Sequence, residues 1–136
     1  MAFTRGVLTL PNPTKTSDLV NDSNYLAIRE YILNASVLSG GDTLIINDLP
    51  INAIITRVEL MVTTAFATAQ DQNNIDILGA DSSVLMDADW NDPQTVGNYC
   101  TDCYYEITGN VLVVHDMTSI TAGRAILRLF VYDTTS

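Results

Sequence analysis

Between Asn47 and Phe66 the chain reads NDLPINAIITRVELMVTTAF, a turn carrying Pro50 followed by a long run that alternates between two faces. Ile54, Thr56, Val58, Leu60, Val62, Thr64 and Phe66 fall on one face, and Ile55, Arg57, Glu59, Met61, Thr63 and Ala65 fall on the other. That period of two is the signature of a strand, since a helix would interleave the two sets. A strand of this length is stable only inside a sheet, so the rest of the chain must supply partners.

The remaining sequence repeats the same pattern of short β-rich runs between turns. NYLAIREYILNASVLSGG is the one region where helix and strand compete, because Ser23 could cap a helix on which Tyr25, Ile28 and Ile32 share one face. Leu26, Ile28 and Ile32 also alternate with Arg29 and Tyr31, and the β-branched and aromatic content favours a strand. Gly40 and Gly41 mark a turn before a short strand at Thr43–Ile46. Further strands are expected at Ile75–Leu78 and Val84–Met86, at the spacing of a meander with a turn at Gly79–Ser83. Tyr99–Ile107 and Val111–His115 are expected to form a hairpin across Gly109 and Asn110. The last strand, Arg124–Tyr132, turns Ala125, Leu127, Leu129 and Val131 to one face. About eight strands and no convincing helix series predict an all-β, antiparallel two-sheet sandwich of the jelly-roll kind.

Residues 1–24 differ from this body. After a short apolar run comes PNPTKTSDLVNDSN, which is polar and carries two prolines. Alone, such a segment cannot bury enough apolar area to offset its ordering entropy. It therefore reads as an extended N-terminal arm ahead of a sandwich domain at 25–136, either mobile or ordered by lying against a neighbour, and in the second case an assembly element. Phe3, Arg5, Val7, Thr9, Pro11 and Pro13 are its candidate interface positions. The second candidate surface is the outward face of the last strand, where Arg124, Ile126, Arg128 and Phe130 mix apolar and basic side chains as protein interfaces do.

The charge balance excludes several functions. Sixteen acids, 13 of them Asp and 3 Glu, face 6 bases, for a net charge of −10. Phosphate binding needs clustered Lys and Arg, so no nucleic-acid partner is expected. No apolar run reaches the ~18 residues of a spanning helix, and the apolar stretch before Pro11 is too short for a signal peptide, so a soluble protein without membrane partner is expected. With 47% hydrophobic residues the chain can bury a core without metals or crosslinks.

Few residues could carry chemistry. Cys100 and Cys103 form a single CxxC, and His115 is the one histidine, so the two further ligands of a zinc site are missing. In a strand, positions i and i+3 point to opposite faces, which separates the two thiols. Asp71, Asp76, Asp81, Asp87, Asp89 and Asp92 cluster, and DADWND opens like a calcium loop. The match then fails, with Asp92 where such a loop needs Gly and Asn98 where it needs Glu. His115 precedes Asp116, yet no nucleophile elbow, Walker loop or dinucleotide fingerprint accompanies them. The reading is of a protein that is not an enzyme, with no catalytic or metal-ligating residues and no cofactor. Trp90 with Tyr99, Tyr104 and Tyr105 could stack on sugars, which keeps a glycan-binding module open.

YILNASVLSGGDTLIINDLPINAIITRVELMVTTAF, IDILGAD, VGNYC and TAGRAILRLFVYD occur in that order. The series resembles the small β-sandwich virion proteins of tailed bacteriophages. In those proteins a GD…P…alternating segment ending in Phe precedes a short strand ending in Gly, a G-x-Y element and a closing strand that follows Gly. The resemblance covers roughly Tyr25 to Tyr132 and implies a capsid decoration or cement protein. Such a protein is made in the host cytoplasm, binds the outer surface of the head, bridges major capsid subunits and assembles as a trimer. The alternative is a head- or tail-fibre module that recognises host-surface glycans. CTDC, from Cys100 to Cys103, matches nothing in that pattern.

Overall fold

A computed structural model describes residues 25–69 and 75–133. The arm, with Phe3, Arg5, Val7, Thr9, Pro11 and Pro13, lies outside the described residues, as does Asp71. Eight strands are formed: β1 (Tyr25–Asn34), β2 (Thr43–Ile46), β3 (Ile54–Ala67), β4 (Ile75–Leu78), β5 (Val84–Met86), β6 (Gly97–Glu106), β7 (Val111–His115) and β8 (Ala122–Asp133). One helical turn, α1 (Ala35–Leu38), follows β1; Asn34 Oδ1 caps it by accepting from Val37 N at 2.8 Å. A 3-10 turn spans Ala88–Trp90.

The strands form two antiparallel sheets, ordered β1-β8-β3-β6 and β2-β7-β4-β5. The pairs β1–β8, β2–β7, β3–β6 and β4–β5 are those of a chain folded once in half at the turn after β4. Successive pairs alternate between the sheets, and β3–β8 and β4–β7 contacts seal the roll. This is the jelly roll expected from the strand count. Between the sheets lies one apolar core, in which Val58, Leu60, Leu127 and Leu129 from one sheet meet Ile75, Ile77, Val111 and Val113 from the other.

Two expectations are corrected. The β6–β7 hairpin does not form, because the strands belong to different sheets. Ile107 instead continues toward β3, donating to Ala53 O and accepting from Asn52 N, both at 2.8 Å. Residues after it then carry the chain across the sandwich to pair with β2. β4 and β5 do pair across the Gly79–Ser83 turn, and they are the only hydrogen-bonded sequence neighbours among the described strands. The second correction concerns the faces of β3. A bulge at Thr56 shifts the register between Ile55 and Arg57, and one extra residue reverses the parity. Ile55 is therefore buried with Val58, Leu60 and Val62, while Ile54 faces outward with Arg57, Glu59 and Met61. β6 and β8 also begin two residues earlier than the sequence suggested.

Two glycines make room for aromatic rings, Gly123 beneath Phe66 within the first sheet and Gly79 beneath Tyr105 between the sheets. Gly123 has φ +136°, and a Cβ there would meet the Phe66 ring at 2.2 Å. At Gly79 a Cβ would meet the Tyr105 ring at 2.3 Å. The Tyr105 hydroxyl in turn accepts from Ala80 N at 3.1 Å. The Phe at the end of the alternating segment and the Gly of the closing strand are thus the two halves of one contact.

Candidate interaction surface

β8 alternates strictly. Ala125, Leu127, Leu129 and Val131 enter the core, which leaves Arg124, Ile126, Arg128, Phe130 and Tyr132 on the outside of the first sheet. Pairing sets Leu26, Ile28, Glu30, Ile32 and Asn34 of β1 beside them, in the order Tyr132, Phe130, Arg128, Ile126 and Arg124. On the other flank β3 contributes Ile54, Arg57, Glu59 and Met61. β6 completes the face with Asn98, Cys100, Asp102, Tyr104 and Glu106.

One row of charge crosses this face. Arg128 Nε lies 2.6 Å from Glu30 Oε2, and its Nη1 lies 3.4 Å from Glu59 Oε1. Arg57 Nε lies 3.5 Å from Glu59 Oε2, and its Nη1 lies 3.0 Å from Asp102 Oδ1. The ladder Glu30–Arg128–Glu59–Arg57–Asp102 thus links all four strands with alternating sign. The hydrogen bond to Asp102 raises the pKa of Arg57, and the hydrogen bond to Glu30 raises that of Arg128. Each pair on an exposed face contributes little to stability. As a set, they leave no guanidinium of the row without a carboxylate. The Arg57 guanidinium also sits 5.9 Å from the centroid of the Phe130 ring, within cation–π range.

Apolar side chains flank the ladder on both sides. Leu26, Ile28, Phe130, Tyr132 and Ile54 lie toward one end, and Ile32, Ile126 and Met61 toward the other. Ile28 is 52% exposed, and Leu26, Ile32 and Tyr132 are exposed as well. These exposed apolar side chains make the outer face of the first sheet the candidate interaction surface. The second sheet carries a smaller row on its outside, Ile45, Leu112, Leu78 and Val84, one from each strand.

The structure brings together the four candidate positions of the last strand. It adds Leu26, Ile28 and Ile32, whose alternation was visible in the sequence but whose pairing with β8 was not. Met61 joins them by simple alternation with Arg57 and Glu59, and Ile54 because of the bulge.

The other candidates are dispersed. Cys100 is exposed on the outer face, its Sγ 3.6 Å from Glu59 Oε2. Cys103 faces inward with Sγ 3.5 Å from Ile55 O, and burial, with Asp102 nearby, pushes its thiol up to about 11. The carboxylates serve turns: Asp76 accepts from Ala88 N, Asp81 from Ser83 N, Asp87 from Asp89 N and Asp92 from Gln94 N. Among the described residues, no group of three or more His, Cys, Asp or Glu is arranged to hold a metal ion. His115 is buried; its Nδ1 accepts from Met117 N at 3.1 Å, and its Nε2 therefore donates to Gly41 O at 2.6 Å. The aromatic platform is not assembled. Tyr105 is buried, Tyr104 points outward from the opposite face of β6, and the Tyr99 hydroxyl donates to Thr95 O.

No protein-family model matches the chain, and no curated protein matches it. Among solved structures, it is similar to a chain of the cyanophage Pam1 capsid asymmetric unit, with a TM-score of 0.60 and 13% identity. That match covers 80% of this chain and 85% of the other. It is also similar to a chain of the acidic stable capsid structure of Helicobacter pylori bacteriophage KHP30, with a TM-score of 0.52 and 17% identity. Here the coverage is 82% of this chain and 89% of the other. At such identities the likeness is one of fold: the jelly roll of this chain is shared with chains found in two phage capsids.

Proposed function

We propose that this chain is a bacteriophage virion structural protein without enzymatic activity, a decoration or cement protein that binds the outer capsid surface and bridges neighbouring major capsid subunits. The observation that carries this reading is the outer face of the first sheet, where an internally paired charge ladder runs between exposed apolar side chains. Exposed apolar side chains grouped on one face are what protein docking buries, and the charges between them are already paired with one another. Two further observations support it. The fold is that of chains in two phage capsids, and the second sheet has its own outward apolar row, as suits a protein set among other subunits.

Mechanistically, a contact of ordinary size, about 1,600 Å² in total, suffices when many copies act on one shell. The chain is made in the host cytoplasm, where its net charge of −10 keeps it dispersed until assembly. Homotrimers dock more firmly than single copies because their contacts are linked.

The test is a pull-down with emptied, undecorated heads of the source phage, using wild type and Ile28→Asp. The exposed position of Ile28 spares the fold, so the variant should melt like wild type yet bind at least 10-fold more weakly. Equal binding by the variant would remove this face from the interface, and failure of wild type to bind would reject the decoration role.

A further inference from the structure

Among the described residues, β1 ends the first sheet and pairs only with β8, while β2 ends the second and pairs only with β7. Between these two edges runs a groove of 440 Å³, lined by Glu30, Ile32 and Leu33 of β1, Val37 of α1, and Leu44 and Ile45 of β2. Val37 is 40% and Ile45 60% exposed. An apolar groove bounded by two strands that end their sheets among the described residues is the geometry that accepts an added extended segment, whose backbone completes the ladder while alternate side chains fill the groove.

The chain holds a matching segment outside the described residues. Gly6–Leu10, GVLTL, has strand propensity and alternates Leu8 and Leu10 against Val7 and Thr9. Its charge is complementary. Residues 1–16 carry Arg5 and Lys15 and no acid, for +2; residues 17–136 carry 4 bases and 16 acids, for −12, and the two sum to the −10 of the whole chain. The connection is long. Residues 11–24 number 14 and include Pro11 and Pro13, so they can span about 45 Å at ~3.3 Å per residue. Folding back on the same β1 as a hairpin needs only about 2–5 residues. A prolyl spacer several times longer, and longer than the ~13 Å radius of gyration of such a domain, suits delivery to a neighbour.

We infer that the groove between β1 and β2 receives Gly6–Leu10 of a second copy of this chain as an added strand, so that copies are joined by exchanged arms. The inference deepens the self-association in the reading above. Its test contains no capsid, so the two can fail separately.

Three full-length proteins are compared by sedimentation velocity and amide hydrogen exchange: wild type, Leu8→Asp/Leu10→Asp and Val37→Asp/Ile45→Asp. Both groove positions are exposed, so the third protein should keep its fold and melt like the arm variant, which has lost the same association. Wild type should associate with slow exchange at residues 30–33 and 44–46. Each variant alone should associate about 100-fold more weakly or worse, from the loss of two buried apolar anchors. Mixing the two variants should restore association, because one supplies an intact groove and the other an intact arm. The inference is overturned if the arm variant associates like wild type. It is equally overturned if wild type is monomeric with arm-dependent protection of those edges, the result for an arm docked on its own domain.

Discussion

Replacing Gly123 with Ala tests the packing of Phe66 across the β3–β8 pair. The backbone there has φ +136°, a region occupied almost only by glycine, and forcing another residue into it costs about 1–3 kcal/mol. The new Cβ would also fall 2.2 Å from Phe66 Cδ2 and 2.4 Å from Cγ. Ordinary contact needs about 3.5–4 Å, so the ring must move by more than ~1 Å. Phe66 is 3% exposed and has little room to do so; overpacking of this sort costs about 1–3 kcal/mol. The sum, about 2–6 kcal/mol, is a large part of the ~5–15 kcal/mol typical of a domain. Urea denaturation of wild type, Gly123→Ala, Phe66→Leu and the double variant forms a thermodynamic cycle. With the smaller Leu in place the steric part should vanish and the backbone part persist, giving a coupling of about 1–3 kcal/mol. A Gly123→Ala variant within ~0.5 kcal/mol of wild type, or an additive cycle, would refute the reasoning.

The remaining predictions concern buried polar groups. His115→Ala leaves Met117 N and Gly41 O without their partner and should cost about 2–4 kcal/mol in the same denaturation assay. Burial, with the hydrogen bond to Asp48, raises Tyr31 to about 12, and burial raises Cys103 to about 11. Both groups hold their proton more tightly when folded, so their contribution is complete below the ordinary values of 10.0 and 9.0 and is lost as pH rises through 11 to 12. Thermal melts should therefore fall across that window, and Tyr31→Phe should flatten the upper part. Toward an aromatic disulfide reagent at neutral pH, Cys100 should react rapidly and Cys103 slowly, since one thiol is exposed and the other half-buried with a raised pKa. Equal rates would contradict the placement of the two on opposite faces.

Periodicity made much of this legible in advance. β8 alternates without a break, so its core set and its outward set could both be read from the sequence alone. The same rule failed in β3 because the bulge at Thr56 adds one residue, and nothing in IITRV marks the position; Ile54 and Ile55 are equally apolar. Gly109 and Asn110 have hairpin chemistry, but turn residues specify a local bend and not which sheet the next strand joins. Tertiary pairing decided that, through Ile107 with Ala53 and β7 with β2. The interaction surface was half visible for the same reason. Its β8 residues follow from alternation, whereas Leu26, Ile28 and Ile32 become part of it only once the first strand is known to pair with the last.

The outer face of the β1-β8-β3-β6 sheet is proposed here as a capsid-binding surface. Binding of the purified protein to emptied, undecorated heads tests it most directly, with Ile28→Asp as the matched control. Wild type should bind saturably, and a variant of unchanged melting temperature should bind at least 10-fold more weakly. Saturable binding of equal strength by both proteins, or no binding by wild type, would contradict it.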